Sequence, residues 1–216
     1  MSATGEGLDG RLPSRESLAA RTRTCLQRGE IRNPDVLLVE VPGAFVVVKD
    51  FRPRPAWLRQ TLGRMLIWRE LRAYRALAGH PSVPRLFGRI DAFAFAMEYR
   101  PGVRLARSIA GRVPGDLPAA LEKAVHAMHD RGVAHLDLRH RSNVLVDGEG
   151  APVLLDFASA VCFRPGGLAA RWLLPFFKRM DLRALAKWRD RLGTPPDVKA
   201  ADGSPASRRS GGTSRG

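Results

Sequence analysis

The run His135-Leu136-Asp137-Leu138-Arg139-His140-Arg141-Ser142-Asn143-Val144-Leu145-Val146-Asp147 carries the densest pattern in this 216-residue chain, together with Leu154-Leu155-Asp156-Phe157-Ala158 just beyond it. Two short apolar runs, Val144-Leu145-Val146 and Pro152-Val153-Leu154-Leu155, are joined by Asp147-Gly148-Glu149-Gly150, a turn composition that favours a hairpin. Closing that hairpin brings Asn143 and Asp156 to the same end of two paired strands. Asp137 lies one loop upstream of them. Three oxygen-bearing side chains are thereby aimed at one place.

Those residue types suit phosphoryl transfer, which needs little covalent help and proceeds by positioning and by neutralising charge around Mg²⁺. An Asp accepts the hydrogen bond of an acceptor hydroxyl, while an Asn and a second Asp each lend an oxygen to the metal. Asp137 fits the first role; Asn143 and Asp156 fit the second.

With these residues in place, the chain resembles the protein kinase-like superfamily: the loop is similar to H-R-D-L-x-x-x-N, and Asp156-Phe157-Ala158 is similar to D-F-G. Three departures stand out. Asp137 and Asn143 are one residue further apart than the signature, so the loop is expected to bulge. Ala158 replaces a glycine and removes a position free to take positive φ, which disfavours a flip of the segment. Leu136 occupies the Arg position, leaving no cation there to grip a phosphorylated loop. The resemblance implies ATP and Mg²⁺ as cofactors and a hydroxyl-bearing acceptor. It also implies that Arg139, two residues past Asp137, neutralises the transferring phosphoryl group.

The same resemblance requires a strand Lys that holds the α/β-phosphates and a helix Glu that holds the Lys. In Phe45-Val46-Val47-Val48-Lys49-Asp50-Phe51, period two places Val47 and Lys49 on one face, and the run resembles V-A-I-K. From Arg54 to Arg75 the only acid is Glu70, on the apolar stripe of a helix beside Leu66, Ile67 and Tyr74. A core-facing carboxylate needs a cation, and Lys49 is the candidate. The apolar strand Ala92–Tyr99 ends at Arg100-Pro101-Gly102. Met97, Glu98 and Tyr99 are expected to connect two lobes and to meet the nucleotide through their backbone, alongside Val47, Lys49 and Glu70.

No G-x-G-x-x-G precedes the Lys strand, so the backbone phosphate cradle is expected to be reduced or missing. No A-P-E follows Asp156, and too few residues remain for a large helical subdomain. The expected fold class is α+β: a two-lobed kinase-like fold with a small antiparallel sheet, one main helix in the first lobe and a truncated, mostly helical second lobe. In this minimal form the chain is similar to the bacterial lipopolysaccharide-core (Kdo/heptose) kinases and to RIO-type kinases. That likeness implies an acceptor such as a lipopolysaccharide-core sugar or a protein Ser or Thr. The expected divisions are a flexible or partly helical segment at 1–30, the first lobe at 31–99, the second at 100–193, and a disordered basic tail at 194–216, where Gly, Ser, Pro and Arg dominate.

In the second lobe, Leu117 to Arg131 reads as an amphipathic helix ending at Gly132, with Leu121, Val125 and Met128 on one stripe. Asp181 reads as the N-cap of a short helix over 181–188, with bracing of the Asp137 loop as the second reading. The net charge of +15, from 36 Lys and Arg against 21 Asp and Glu, calls for an acidic partner or surface. No nucleic-acid-binding motif accompanies it, which disfavours nucleic acid as the partner. Arg171-Trp172-Leu173-Leu174-Pro175-Phe176-Phe177-Lys178-Arg179 mixes cations with Trp and Phe as interfacial segments do, so it reads either as a face for an anionic membrane or as core. Cys25 and Cys162 form no disulfide framework or zinc motif. No secretory leader or membrane span is legible, and the expected location is the cytoplasm, with the inner face of the membrane as a peripheral site.

Two rival functions use the same residues differently. A pseudokinase-type module would bind nucleotide without turnover because the loop is stretched and the cradle missing. A metal-dependent hydrolase would use His126 and His129, three apart on a helix, with His135, but it leaves Lys49, Glu70 and Asp156 without a purpose.

Overall fold

The computed structural model of the chain describes residues 12–105, 116–140 and 142–192. The tail expected to be disordered at 194–216 and the first eleven residues lie outside these. The fold is α+β, with an antiparallel sheet in the first half and helices dominating the second, as a small two-lobed kinase-like molecule requires.

The first lobe is a five-stranded antiparallel sheet in the order β1-β2-β3-β5-β4, built from β1 (Thr22–Gln27), β2 (Asp35–Val41), β3 (Ala44–Asp50), β4 (Leu86–Asp91) and β5 (Ala94–Glu98). Pro42-Gly43 turns β2 into β3, with Gly43 at φ 81°, the conformation that the third residue of a type II turn demands. Strand alternation then sorts β3 onto two faces. Val46 and Val48 pack with Val39, Val41, Ala94 and Ala96 beneath Leu18 of α1 (Arg15–Arg21). Val47 and Phe51 face the other way, into the main core with Ile67, Leu71 and Tyr74 of α3 (Arg64–Ala76). Lys49 sits between Val47 and Phe51 on this second face. A short α2 (Ala56–Leu58) and a π-helical turn (Arg59–Gly63) lead into α3.

The sheet begins at Thr22, earlier than the boundary at residue 31 expected from sequence. α1 is tied down by Arg15, whose guanidinium reaches Asp50 at 2.6 and 3.1 Å and Asp91 at 2.7 Å. This clamp fixes α1 to the ends of β3 and β4.

After β5 the chain crosses into the second lobe through Tyr99 and Arg100 to β6 (Gly102–Arg104), which pairs with β8 (Val144–Asp147), itself paired with β9 (Pro152–Leu154). β6 lies so close to β8 that a Cβ on Gly102 would sit 2.6 Å from the Val146 carbonyl oxygen. β7 (Val133–Ala134) pairs with β10 (Val161–Cys162). α4 (Leu117–Asp130) buries Leu121, Val125 and Met128 on one stripe, as expected.

The last element among the described residues departs from expectation. Instead of a short helix capped by Asp181, α5 runs unbroken from Leu168 to Leu192 with Pro175 inside it. Proline removes one helical donor and usually ends a helix. Here the burial of Ala170, Leu174, Asp181, Ala184 and Trp188 along one face holds the helix through it.

Candidate active site

The two lobes enclose a cleft of about 520 Å³, a volume typical of small-molecule sites. Val36, Val47 and Met97 line it from the sheet, and Leu145 and Leu155 from the second lobe. Lys49, Glu70, Glu98, Tyr99, Asp137, Asn143 and Asp156 also line it. All of the expected site residues except Arg139 therefore line this one cleft, from both lobes. Arg139 is exposed on the turn and does not line the cleft, whereas His140 and Ser142 do.

The Lys49 ammonium lies 2.5 Å from Glu70 Oε1 and 2.9 Å from Asp156 Oδ1. Lys49 and Glu70 are buried, whereas the Asp156 side chain is about half exposed at 48%. One ammonium serves two carboxylates. Burial pulls the Lys49 pKa down, but Asp156 and Glu70 outweigh it and the net shift is upward. Burial pushes the Glu70 carboxyl up to about 7 against the pull of Lys49. Lys49 holds Asp156, the more solvated of the two, below the usual carboxylate range.

The hairpin expected from Asp147-Gly148-Glu149-Gly150 forms, with Val144 paired to Leu154, and the Leu155 N–H donates to the Asn143 carbonyl at 2.8 Å. Between Asp137 and Asn143 the His140 N–H donates to the Asp137 carbonyl at 3.3 Å and the Asn143 N–H to the His140 carbonyl at 3.2 Å. Asn143 Nδ2 donates to both the backbone carbonyl and the carboxylate of Asp137, each at 2.9 Å. With the amide nitrogen so committed, Oδ1 is the acceptor end of the carboxamide, and Ser142 Oγ lies 3.1 Å from it.

The loop backbone is braced from below. Asp181, 1% exposed, accepts from the N–H groups of His135 and Leu136 at 2.8 Å each and from His129 Nε2 at 3.0 Å. Seven residues on, and so on the same helix face, Trp188 Nε1 donates to the Leu138 carbonyl at 2.8 Å. The brace has something to hold: Leu136 takes φ 67°, a left-handed conformation that costs a residue with a Cβ about 1–2 kcal/mol. Asp156 also lies in this region, at φ 63°. Asp181 is therefore not an N-cap but the support of the loop.

A stack of rings links the lobes behind the cleft. The Phe157 ring lies 5.1 Å from Tyr74 of α3 and 4.8 Å from His135. His135 Nε2 donates to the Leu155 carbonyl at 2.9 Å and Nδ1 accepts from Asp137 N–H at 3.3 Å, so the ring is neutral and burial holds its pKa down. Arg69 reaches the carbonyls of Ser159 and Ala160 and fastens the segment after Asp156 to α3. The three histidines of the rival hydrolase reading are separately engaged: His135 on Leu155, His129 on Asp181, and the exposed His126 beside Glu122 at 3.8 Å. Among the described residues no three His, Cys, Asp or Glu side chains form a metal-binding group.

At the edge of the cleft, where the sequence holds no glycine-rich cradle, the end of β1 contributes Gln27 and the β1–β2 connection contributes Asn33 and Pro34. Its one glycine, Gly29, donates to Asp35 Oδ1 at 2.8 Å. A Cβ there would collide with the carbonyl oxygens of Asn33 and Pro34. Arg54 also grips Asp35. Sequence reasoning missed this hairpin because β1 is an edge strand, mostly exposed, with no apolar alternation.

No family model matches the chain. A curated relative, the CBL-interacting serine/threonine-protein kinase 16 of Arabidopsis thaliana, is 36% identical over an alignment of 114 residues, with 49% of this chain and 24% of that protein covered. The matched stretch thus spans about a quarter of the relative's length. At this extent the match supports a kinase-like relationship.

Proposed function

We propose that the chain is a phosphotransferase that moves the γ-phosphoryl group of Mg-ATP to a hydroxyl acceptor. The observation that carries the reading is the single ammonium of Lys49 held between Glu70 and Asp156, opposite an Asn143 locked onto Asp137. An isolated buried ion pair could be structural. A pair that opens onto a cleft beside a second, hydrogen-bonded Asp–Asn couple is suited to a charged ligand.

The residues fit the cofactor. A carboxamide oxygen and a half-exposed carboxylate, without a third protein ligand, suit Mg²⁺, which keeps water and takes phosphate oxygens as its remaining ligands. When bound, Mg²⁺ supplies charge neutralisation on the phosphate oxygens. Asn143 Oδ1 and Asp156 would hold it, and Lys49 would hold the α/β-phosphates. Val36, Val47 and Met97 would cover the base. Met97, Glu98 and Tyr99 would offer their backbone to its edge. Asp137, oriented by Asn143, would accept the hydrogen bond of the acceptor hydroxyl. Arg139 is left outside this set.

The likeness to a protein kinase and the sequence resemblance to lipopolysaccharide-core kinases frame two acceptor classes, a protein Ser or Thr and a core sugar. Incubation with γ-labelled ATP and separate protein, lipid and small-metabolite fractions identifies the class by which one gains label. Asp137→Ala should abolish transfer while leaving nucleotide binding intact, and Asp156→Ala should weaken Mg-nucleotide affinity. Transfer unchanged in Asp137→Ala would remove the reading. Nucleotide binding with no transfer to any fraction by the native chain would favour the pseudokinase alternative.

A further inference from the structure

The first half of α5 carries an apolar stripe that none of the described residues covers. Leu168, Trp172, Phe176 and Met180 recur every four residues and are 77, 78, 62 and 40% exposed. At 100° per residue they advance only 40° from one to the next, so they form one ridge about 18 Å long on the side opposite the buried Ala170, Leu174 and Asp181. Leu173 widens the ridge and is half exposed. Phe177 is turned inward and stacks on Phe163 at 5.9 Å, so the outward position of its neighbour Phe176 is not simple spill-over from a crowded core.

Charge identifies the surface that fits. Between Phe157 and Arg189 the sequence holds seven Lys and Arg and one acid. That acid is Asp181, buried beneath the loop. On the helical wheel Arg179 and Arg183 fall within the arc of the stripe, at 20° and 60° when Leu168 is set to zero. Aliphatic, aromatic and cationic side chains on a single exposed face are the composition of a helix lying in the plane of an anionic bilayer. A nucleic acid would use the cations and the rings but offers nothing to Leu168, Leu173 or Met180. The helix cannot go deeper than the interface. Pro175 leaves a carbonyl without its helical donor, and no described helix is long and apolar enough to cross a membrane.

From these observations we infer that the Leu168–Met180 face of α5 docks in the plane of a membrane rich in anionic lipid. The inference is independent of the chemistry proposed for the cleft and is tested without nucleotide.

The experiment is sedimentation of the full chain with vesicles of phosphatidylcholine alone and of phosphatidylcholine with phosphatidylglycerol, at about 0.1 M and about 0.5 M salt. The expected result is binding to the anionic vesicles only, weakened by salt. The double variant Trp172→Ser and Phe176→Ser should lose about tenfold or more of it, with circular dichroism confirming that the fold is kept. As a second readout, brominated lipid should quench the native fluorescence, and Trp172→Phe should remove most of that quenching. Equal binding to neutral vesicles, no binding, or binding indifferent to the double variant each overturns the inference. So does a dimer that light scattering detects in the native chain and not in the variant, because a second copy would then cover the stripe.

Discussion

Lys49 is buried against two carboxylates, and removing it exposes what each of them requires. Lys49→Met strands Glu70 in the core without a cation, and breaking a buried pair in this way costs about 3–5 kcal/mol, measurable by urea unfolding. Adding Glu70→Leu should restore most of that stability while phosphate transfer stays absent, which separates the structural share of the pair from its functional one. If transfer returned with stability, Lys49 would have no part in the chemistry. His135 gives a second residue-level expectation. Its folded-state pKa lies below the ordinary 6.5 because burial disfavours the imidazolium, and His80 is shifted the same way for the same reason. As pH falls below about 6.5 the unfolded chain takes up protons at these two rings that the folded chain refuses, which lowers stability toward acid. Glu70, pushed up to about 7 in the folded state, works in the opposite sense, so the histidine contribution is read as a difference: between pH 7.5 and 5.5, as an approximate working window, the urea midpoint of His135→Gln should shift toward greater stability relative to that of the native chain, a change in slope. An unchanged slope would place a charged ring in the core. At this scale the sequence was informative: Glu70 stood out as a lone acid in a basic helix, and Lys49 as a lone cation on an apolar strand face.

Among the elements, α5 does the most to shape the site and was the hardest to read. Pro175 is a residue type that usually ends a helix, and an Asp ahead of Leu-Arg-Ala-Leu has the composition of a cap. What overrides both signals is tertiary: the carboxylate meets two loop N–H groups and a histidine in a dry site, where no local pattern records the partners. Asp181→Asn replaces one acceptor oxygen with a donor facing donors. It should cost about 2–4 kcal/mol and abolish transfer, with helix content by circular dichroism unchanged. Trp188→Phe removes one hydrogen bond and should cost about 1 kcal/mol. Retention of full transfer in Asp181→Asn would show that the loop keeps its shape unaided. β1 was missed for the opposite reason. Its Thr22-Arg23-Thr24-Cys25-Leu26-Gln27 sequence is an exposed edge, held by backbone pairing to β2, and such a strand needs no hydrophobic alternation. The hairpin β8–β9 was legible because its turn residues and its apolar runs agreed.

At the scale of the molecule the main core passes through both lobes, from Val47 and Phe95 of the sheet through Tyr74 and Phe157 to Met128 and Trp188. The two halves should therefore unfold together in one transition, and Mg-ATP at about a hundred times its dissociation constant should raise the unfolding free energy by about 2.7 kcal/mol. Two transitions by calorimetry would contradict the shared core. The overall plan was legible because it rests on the order Lys, Glu, Asp, Asn, Asp along the chain. The depth of the brace beneath the loop was not, since it depends on pairings 45 to 50 residues apart. That separation gives the last helix a role in time as well as in space. During synthesis the sheet and its main helix leave the ribosome first, and the loop follows with its left-handed Leu136 unsupported. Only when Asp181 and Trp188 emerge can the backbone of that loop settle. A nascent chain halted short of them would have its sheet and main helix folded above a loop still without its support.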